Sequence, residues 1–537
     1  MSRIVFITTY NPGVIGIRYV GACLKREGHE VWFVHFKEFR PCTVPTKDWK
    51  KHQELSESAV KYVYFQHPGY RVYAPYPTPI TDKERELLID FIRDKKPDVI
   101  GFSLFSVTLD VVKDLTALIK KQFPDIPVAW GGVHCILRPE ECIKYADIVC
   151  AGEGEDAFPA LLRDWDNYKS GKIPEIPGLW FRLGDKIFPS DENPIVDVEK
   201  VPFPMMMENE IVIDDDQISY KMNEPNVYIH NQIYVFTERG CPYKCSYCIH
   251  SMLKIPGFKK FRRRSVQSVL DEVGVRVNKY GFKHIIFHDE ILGIDKSWVR
   301  DLTRGFKERF TPLGITFTGY VHPMTTDAEM LEWLVDAGMT RAGMGIQSGC
   351  EYTNTMIYDR DWTPDKIIEL SRLLSKYTFE EVQYDLLTHN PYEKEEHRRE
   401  TLEFLLKLYP PFHVEPFSLV IYDLTRLAHK DLPKYGVDLQ ENLFWNMLYF
   451  MTGLKGRDAD FIRDCSNNKY FRESPEVLEE FVAELLKLDK MEWQRTWELH
   501  NVKKNQEMSA IRLLERQGIK TQVKTLFRTI KRKILSR

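Results

Sequence analysis

No stretch of the 537 residues approaches the roughly 18 consecutive apolar residues that a membrane-spanning helix requires. The amino terminus, Met1-Ser2-Arg3-Ile4-Val5-Phe6-Ile7, lacks a charged region followed by a long apolar stretch and a small-residue cleavage site, so no signal peptide is read there. Cysteine is sparse, with 10 residues. Seven of them (Cys23, Cys42, Cys135, Cys142, Cys150, Cys350, Cys465) are scattered rather than arrayed as a disulfide framework. These absences set the expectation of a cytoplasmic protein in a reducing compartment. An excess of one charge is lacking too. The 75 Lys and Arg against 78 Asp and Glu leave a net charge of -3, which exerts no overall pull toward nucleic acid. No Gly-x-Gly-x-x-Gly follows the first apolar strand, which argues against a nicotinamide cofactor. Hydrophobic residues at 43% and charged residues at 28% are ordinary for a soluble globular chain. The length calls for more than one domain.

Against this background one stretch stands out. It is Arg239-Gly240-Cys241-Pro242-Tyr243-Lys244-Cys245-Ser246-Tyr247-Cys248, directly after the apolar run Ile233 to Phe236. Cys-x3-Cys-x2-Cys spacing puts three thiolates on one short loop, and thiolates are the ligands of iron–sulfur clusters. Cys241, Cys245 and Cys248 are therefore candidate metal ligands. The next cysteine, Cys350, lies far downstream, so a four-iron cluster would keep one iron open for a substrate or cofactor. Two other readings stay open: cysteines packed as small hydrophobes, and a tetrahedral zinc with His250 as fourth ligand. Gly240, Pro242, Lys244 and Ser246 are turn formers and polar residues, which weighs against core.

Upstream, strands at 4–8, 30–36, 98–104, 128–130 and 147–151 alternate with helices at 16–27, 83–95 and 109–122. That alternation predicts a parallel, doubly wound sheet over residues 1–166, with 37–81 as an insertion of little regular structure. Ligands of such sheets bind at the carboxyl ends of the strands. The loops there are Thr8-Thr9-Tyr10-Asn11, Ser103-Leu104-Phe105-Ser106, Gly131-Gly132-Val133-His134 and Gly152-Glu153-Gly154-Glu155. Their glycines either make tight turns or let the backbone approach a flat ligand. Residues 167–230 lose helical periodicity and read as a linker. It contains a hairpin around Gly184-Asp185, loop-like residues 201–204, and an acidic triplet, Asp214-Asp215-Asp216, read as a solvated face rather than a metal site.

Residues 231–425 resume the alternation. Strands are predicted at 233–238, 284–289, 315–321, 341–346, 382–388 and 412–421, with helices at 265–280, 297–310, 327–336, 363–376 and 394–408. Six strand–helix units predict a parallel, partly open barrel, whose chemistry gathers at the strands' carboxyl ends. The first such end carries the cysteines, the second His288-Asp289-Glu290, the fourth Gln347-Ser348, and the fifth Asp385 and Thr388 to Glu393. Tyr384 and Asp385 read equally well as polar packing inside the barrel.

The cysteine loop resembles that of the radical SAM superfamily. There three cysteines hold a 4Fe–4S cluster whose fourth iron chelates S-adenosylmethionine (SAM), and the residue before the last cysteine is typically aromatic, as Tyr247 is here. The pattern PDVIGFS … VAWGGVHCILRPEE … ADIVCAGEGEDAF resembles the cobalamin-binding domain that precedes the barrel in one large subfamily. FHDEILG, AGMTRAGMGIQSG and YDLLTHNPYE resemble that subfamily's second-, fourth- and fifth-strand patterns. The resemblance spans residues 3–166 and 233–425. It implies an α/β chain: a Rossmann-like cobalamin-binding domain, a partial (β/α)6 radical SAM barrel and a C-terminal helical domain. It implies that Thr9, Ser103, Gly131, Gly132, His134, Gly152, Glu153 and Gly154 face the corrin ring. Tyr247 would contact adenine, and Asp289 and Glu290 the methionine end or the substrate. Gln347 and Ser348 would contact the ribose or amino group, and Arg360 the SAM carboxylate. Two departures stand. The cobalamin motif Asp-x-His-x-x-Gly is absent, leaving His134 as either a packing residue or a cobalt ligand. Gln347 also occupies a position where the commoner pattern has Glu, so one charge is missing.

The resemblance further implies radical methylation of an unactivated carbon: SAM cleavage to a 5′-deoxyadenosyl radical, hydrogen abstraction, and methyl transfer from methylcobalamin. The partners implied are a small-molecule or lipid substrate and an electron donor such as flavodoxin or ferredoxin. A cyclase or rearrangement enzyme without net methyl transfer, and a non-catalytic cobalamin or Fe–S sensor, stay open as alternatives. Residues 426–537 read as helical and are expected to cap the barrel mouth. The last helix, 519–537, carries Lys520, Lys524, Arg528, Lys531, Arg532, Lys533 and Arg537 opposite an apolar stripe. It reads as docked on the protein or as a peripheral contact with an anionic membrane.

Overall fold

The computed structural model describes residues 1–11, 13–38, 42–45, 63–67, 70–73, 78–190, 192, 194–220, 232–251, 261–436 and 438–489. The helices expected over 491–516 and 519–537 lie outside the described residues. The chain divides into two compact units. One comprises residues 1–40, 75–244 and 248–285, the other 41–74, 245–247 and 286–537.

In the first unit, strands β1 (Arg3–Thr9), β2 (Glu30–Phe36), β6 (Val99–Ser103), β7 (Val128–Gly131) and β8 (Ile148–Cys150) form the parallel centre of a nine-stranded sheet. Their side chains are apolar on both faces, as a sheet covered twice requires. From β1, Val5 and Ile7 enter one core with Val34, Ile100 and Trp130, while Ile4 and Phe6 enter the other with Phe33, Val99 and Ala129. Helices Gly16–Arg26, Asp82–Lys95, Leu109–Gln122 and Gly154–Arg163 alternate with the strands. The predicted hairpin is present as β9 (Leu179–Leu183) and β10 (Lys186–Phe188), added antiparallel to β8.

The other edge corrects the reading of the acidic triplet. Residues read as loop contain β11 (Glu210–Asp214), which pairs parallel with β2, and β12 (Gln217–Ser219). The run Glu-Ile-Val-Ile-Asp is short and charged at both ends, and both charges are buried by ion pairing. Glu210 accepts from Arg18 at 2.6 and 2.8 Å and lies 3.0 Å from His35 Nε2, and Lys37 bridges Glu84 at 2.6 Å and Asp214 at 2.7 Å. Asp214 is thus a buried ion-pair partner. Only Asp215 and Asp216 are exposed, in a left-handed turn.

A six-stranded sheet follows the order β13 (Gln232–Val235), β16 (His284–Phe287), β17 (Thr316–Tyr320), β18 (Met339–Gln347), β19 (Glu381–Thr388), β20 (His413–Ser418). The last four strands pair in parallel. Helices Val266–Tyr280, Lys296–Arg309, Ala328–Asp336, Pro364–Leu374 and Glu395–Leu405 fall between them where the periodicity placed them. A two-stranded pair, β14 (Glu238–Arg239) and β15 (Arg262–Arg263), precedes and follows the cysteine loop. Residues 41–74, read as irregular, contain three short strands, β3 (Cys42–Pro45), β4 (Val63–His67) and β5 (Tyr70–Tyr73), which form a small antiparallel sheet.

The C-terminal helices are Leu439–Thr452, Ala459–Ser466, Lys469–Glu473 and Pro475–Asp489. The first is buried on every side from Asn442 onward, as expected of a helix without a polar face. Its Asn442 side chain accepts from the His389 backbone N–H at 2.7 Å, which fixes it to the loop leaving β19.

Candidate active site

In the second unit, the middle of the cysteine loop is fastened to the segment that follows β18. Ser246 donates through its backbone N–H to the Tyr358 carbonyl at 2.8 Å and through its hydroxyl to the Ile357 carbonyl at 2.6 Å. Its own carbonyl accepts from Leu427 N–H at 2.9 Å. The Tyr247 ring meets the Tyr358 ring edge-on, with centroids 4.9 Å apart. Arg360 donates to the Tyr247 hydroxyl and to the Gly345 carbonyl, each at 2.9 Å, and its guanidinium also faces the Cys245 thiol. The chain reaches these contacts through a π-helical turn, Thr353–Ile357, a form frequent at functional sites.

Cys241, Cys245 and Cys248 are all half-buried, whereas Cys350 is fully buried. Among the described residues no three Cys, His, Asp or Glu side chains converge on one metal ion. The donor set fits a 4Fe–4S cluster: three thiols on one loop and no fourth cysteine within it.

The carboxyl ends of the barrel strands contribute unequally. After β16, Asp289 is buried while His288 and Glu290 are exposed. After β17 comes His322, which carries no motif and was missed from sequence. Burial and the charge of Arg360 push its imidazole down to about 4, so it is neutral at physiological pH. β18 ends in a bulge. Its register with β19 shifts between Gly345 and Gln347, and Gln347 takes a left-handed φ of 69°. The Gln347 side chain folds back over Gly345, where a Cβ would come 2.5 Å from its amide nitrogen.

Ser348 points the other way. Its hydroxyl is buried against Glu393 at 3.3 Å and Thr401 at 3.1 Å. On β19 and β20 Gln383, Asp385 and Glu415 are among the half-buried side chains, while Tyr384 is fully buried against Phe412. Asp385 and Glu415 are register partners. Burial pushes the Asp385 carboxyl up to about 7 even though Gln383 donates to it at 2.6 Å, and Glu415 lies 2.8 Å from His413.

In the first unit, the carboxyl edge of the sheet gathers Thr9, Ser103, Gly131 and Gly132. The Thr9 hydroxyl is buried and has no hydrogen-bond partner among the described residues. The following loop exposes Phe105 and Val107, apolar side chains at 37% and 55%. An orphaned hydroxyl beside exposed apolar groups fits a large, flat, amphipathic cofactor such as cobalamin. Gly132 serves the loop itself: at φ +97° a Cβ there would lie 2.7 Å from the Leu104 carbonyl oxygen.

His134 is buried, with Nδ1 2.9 Å from the Ser106 hydroxyl. Glu153 faces protein partners on both oxygens: Arg262 at 2.8 Å to each, Arg239 at 3.0 Å and the Val196 N–H at 2.9 Å. These partners hold its carboxyl below the usual range although burial pushes the other way. Arg239 also pairs with Glu155 at 2.5 Å. The loop after β8 is thereby fastened to β14 and β15, which flank the cysteine loop. Arg239 and Arg262 were given no role from sequence; the basic run Arg262-Arg263-Arg264 was the available signal.

Comparison with known proteins finds two family matches along the chain. A B12 binding domain matches residues 63–162 and the radical SAM superfamily matches residues 235–405. Cytidylyl-2-hydroxyethylphosphonate methyltransferase of Streptomyces wedmorensis is 28% identical over 295 residues, 49% of this chain and 52% of that one. The anaerobic magnesium-protoporphyrin IX monomethyl ester cyclase of Cereibacter sphaeroides is 23% identical over 308 residues, 56% of this chain and 48% of that one. The chain spans about half the length of these relatives. Among solved structures, the radical S-adenosylmethionine methyltransferase TsrM of Kitasatospora setae, with tryptophan substrate and a SAM analog bound, superimposes with a TM-score of 0.57. That alignment is at 15% identity over 79% of this chain and 75% of that one, a likeness of fold.

Proposed function

The chain is a radical SAM protein with an N-terminal B12-binding domain, and we propose that on this scaffold it methylates an unactivated carbon of a small-molecule substrate. Its two domains imply a 4Fe–4S cluster, SAM and cobalamin as cofactors. When bound, these supply a hydrogen-abstracting radical and a transferable methyl group, the hard chemistry that a protein scaffold positions but does not itself perform.

The observation that carries the reading is the cysteine loop: three half-buried thiols, with Ser246 and Tyr247 pinned to Ile357, Tyr358 and Arg360. The work of the chain is positioning. Cys241, Cys245 and Cys248 would hold the cluster. Tyr247 offers a ring for stacking whose hydroxyl is fixed by Arg360. Gln347, turned inward by its left-handed backbone, presents an amide to the SAM ribose or amino group, and Asp289 lies at the neighbouring carboxyl end of β16. Asp385 and Glu415 line the barrel on its last two strands and face the substrate. In the first unit, Thr9, Ser103 and the Gly131-Gly132 turn would seat the corrin, with His134 committed to packing. Relatives of both kinds, methyltransferases and a cyclase, share the scaffold.

Anaerobic reconstitution with cobalamin, SAM and a strong reductant separates these chemistries, with 5′-deoxyadenosine and S-adenosylhomocysteine quantified beside a Cys245→Ala control. Both products, with 5′-deoxyadenosine lost in the control, are expected of a methylase. 5′-Deoxyadenosine without S-adenosylhomocysteine would replace the methylase reading by a cyclase or rearrangement. Neither product from protein that carries iron and cobalamin would leave a binding role.

A further inference from the structure

Arg360 is a half-buried guanidinium without a carboxylate partner among the described residues. Its two terminal nitrogens are spent on neutral acceptors, the Tyr247 hydroxyl and the Gly345 carbonyl, each at 2.9 Å. A cation held away from water without a counter-ion is costly. Besides the Tyr247 hydroxyl, the guanidinium faces the sulfur of Cys245, two residues earlier on the same loop. The neighbouring His322 is neutral at physiological pH, so Arg360 supplies the one positive charge of that pair.

The backbone is arranged to keep the guanidinium there. The bulge at Gly345 and Gln347 interrupts the ladder with β19 where Arg360 takes the Gly345 carbonyl. The Arg360 backbone N–H donates to the Asn354 carbonyl at 2.8 Å, and the Asn354 side chain donates to the Ser348 carbonyl at 2.6 Å. The bonds to Tyr247 and Gly345 fix two of the three corners of the planar fork.

We infer that Arg360 is a positioning residue that sets a fixed positive charge against the Cys245 sulfur and so eases one-electron reduction of the cluster carried by this loop. The inference rests on the reading of Cys241, Cys245 and Cys248 as cluster ligands. A fixed cation beside a ligand sulfur favours the more negative, reduced state, and charge and hydrogen bonding around the sulfurs are the levers by which a protein tunes a cluster. This role differs from pairing with the SAM carboxylate, because it acts before SAM is present.

The test is a redox titration of the reconstituted full chain without SAM, followed by the electron paramagnetic resonance of the reduced cluster, for wild type, Arg360→Met and Arg360→Lys. At a fixed applied potential, Arg360→Met is expected to cut the reduced-to-oxidised ratio at least tenfold, a midpoint about 59 mV lower for a one-electron couple. Arg360→Lys, which keeps the charge, is expected to recover most of that shift. An Arg360→Met midpoint equal to wild type at equal iron content would overturn the inference. So would an Arg360→Lys midpoint as low as that of Arg360→Met, since charge would then not be the cause. Should Arg360→Met fail to retain iron, Arg360→Lys decides: a midpoint near wild type supports the inference and a tenfold loss of reduced cluster sinks it. Unchanged midpoints with weakened SAM binding would instead assign Arg360 to the SAM carboxylate. A wild-type chain with no cluster signal would remove the cluster reading itself, a failure distinct from any difference among variants.

Discussion

Replacing Glu393 by glutamine should stabilise the second unit at pH 8 and leave it nearly unchanged at pH 4.5. Glu393 follows β19 and is only 6% exposed. Its carboxyl accepts from Thr353 Oγ1 at 2.8 Å and from Ser348 Oγ at 3.3 Å. Arg398 lies close but is occupied, pairing with Glu441 at 2.6 Å and donating to the Glu393 carbonyl at 2.8 Å. Burial outweighs these donors and pushes the carboxyl from 4.5 up to about 7. The folded state therefore holds the proton more tightly than the unfolded chain. The associated stability is fully present below pH 4.5 and is lost as pH rises through 7. At about 1.4 kcal/mol per pH unit the loss comes to about 3 kcal/mol. Glutamine keeps an acceptor for both hydroxyls and has no proton to lose, so its stability should be flat over this window. The assay is hydrogen exchange of the β18 and β19 amides by mass spectrometry at pH 5, 6, 7 and 8, corrected for intrinsic rates, in both proteins. Wild type should lose about 2.5 kcal/mol of opening free energy relative to Glu393→Gln between pH 5 and 8. Parallel pH dependences would refute the reasoning and show that the cavity around Glu393 admits enough water to solvate its charge.

Gly132→Ala should destabilise the first unit by about 1–3 kcal/mol, because it forces an alanine into a left-handed backbone with its Cβ against the Leu104 carbonyl; thermal unfolding reads the loss, and cobalamin retained after gel filtration reads its effect on the loop. Arg262→Met leaves Glu153 buried with Arg239 as its remaining guanidinium partner and should cost about 3–5 kcal/mol, whereas the double variant Arg262→Met with Glu153→Gln should recover part of it by calorimetry. Glu210 is held down to about 2, with Arg18 and His35 as the stabilising partners, so its contribution is present above pH 4.5 and lost as pH falls through 2; the stability gap between wild type and Glu210→Gln in acid titrations should narrow by about 3 kcal/mol over that range.

The central strands were legible because a doubly wound sheet buries both faces. Its strands then read as short apolar runs bounded by turn residues, and β2 matched its predicted span of 30–36. The barrel helices were legible for a related reason: each presents one apolar stripe. β11 was not legible. Its ends are Glu210 and Asp214, and only the presence of Arg18, His35 and Lys37 across the fold makes those charges tolerable in a sheet. No local pattern announces a partner almost two hundred residues away. The short strands of residues 41–74 were hidden for a different reason: they pair with one another inside an insertion that lacks clear alternation.

The site divides along a similar line. The cysteine motif was legible because residue type and spacing stand together on one short loop and need no distant partner to be noticed. Residues whose contribution depends on backbone shape or on a distant partner were not. Ser348 sits beside Gln347 in the sequence, yet the bulge turns one over Gly345 and the other into the buried pocket of Glu393 and Thr401. The chain places non-glycine residues in left-handed conformations after four parallel strands: Tyr10 after β1, Lys37 after β2, Gln347 at the end of β18 and His389 after β19. Each costs conformational energy that a glycine would avoid, and each lies at a carboxyl end, the edge where α/β folds bind ligands. Lys37 is repaid by a buried ion pair with Glu84 and Asp214, and His389 by the Asn442 side chain that accepts its N–H. Among the described residues Gln347 has no comparable repayment, and its amide lies over Gly345. On the proposed role of the Gln347 amide in SAM binding, Gln347→Gly should stabilise the second unit, by relieving the left-handed strain, while weakening SAM binding. Stabilisation with SAM affinity unchanged, measured by the SAM-induced change in the cluster's resonance spectrum, would show that the left-handed turn serves the fold alone.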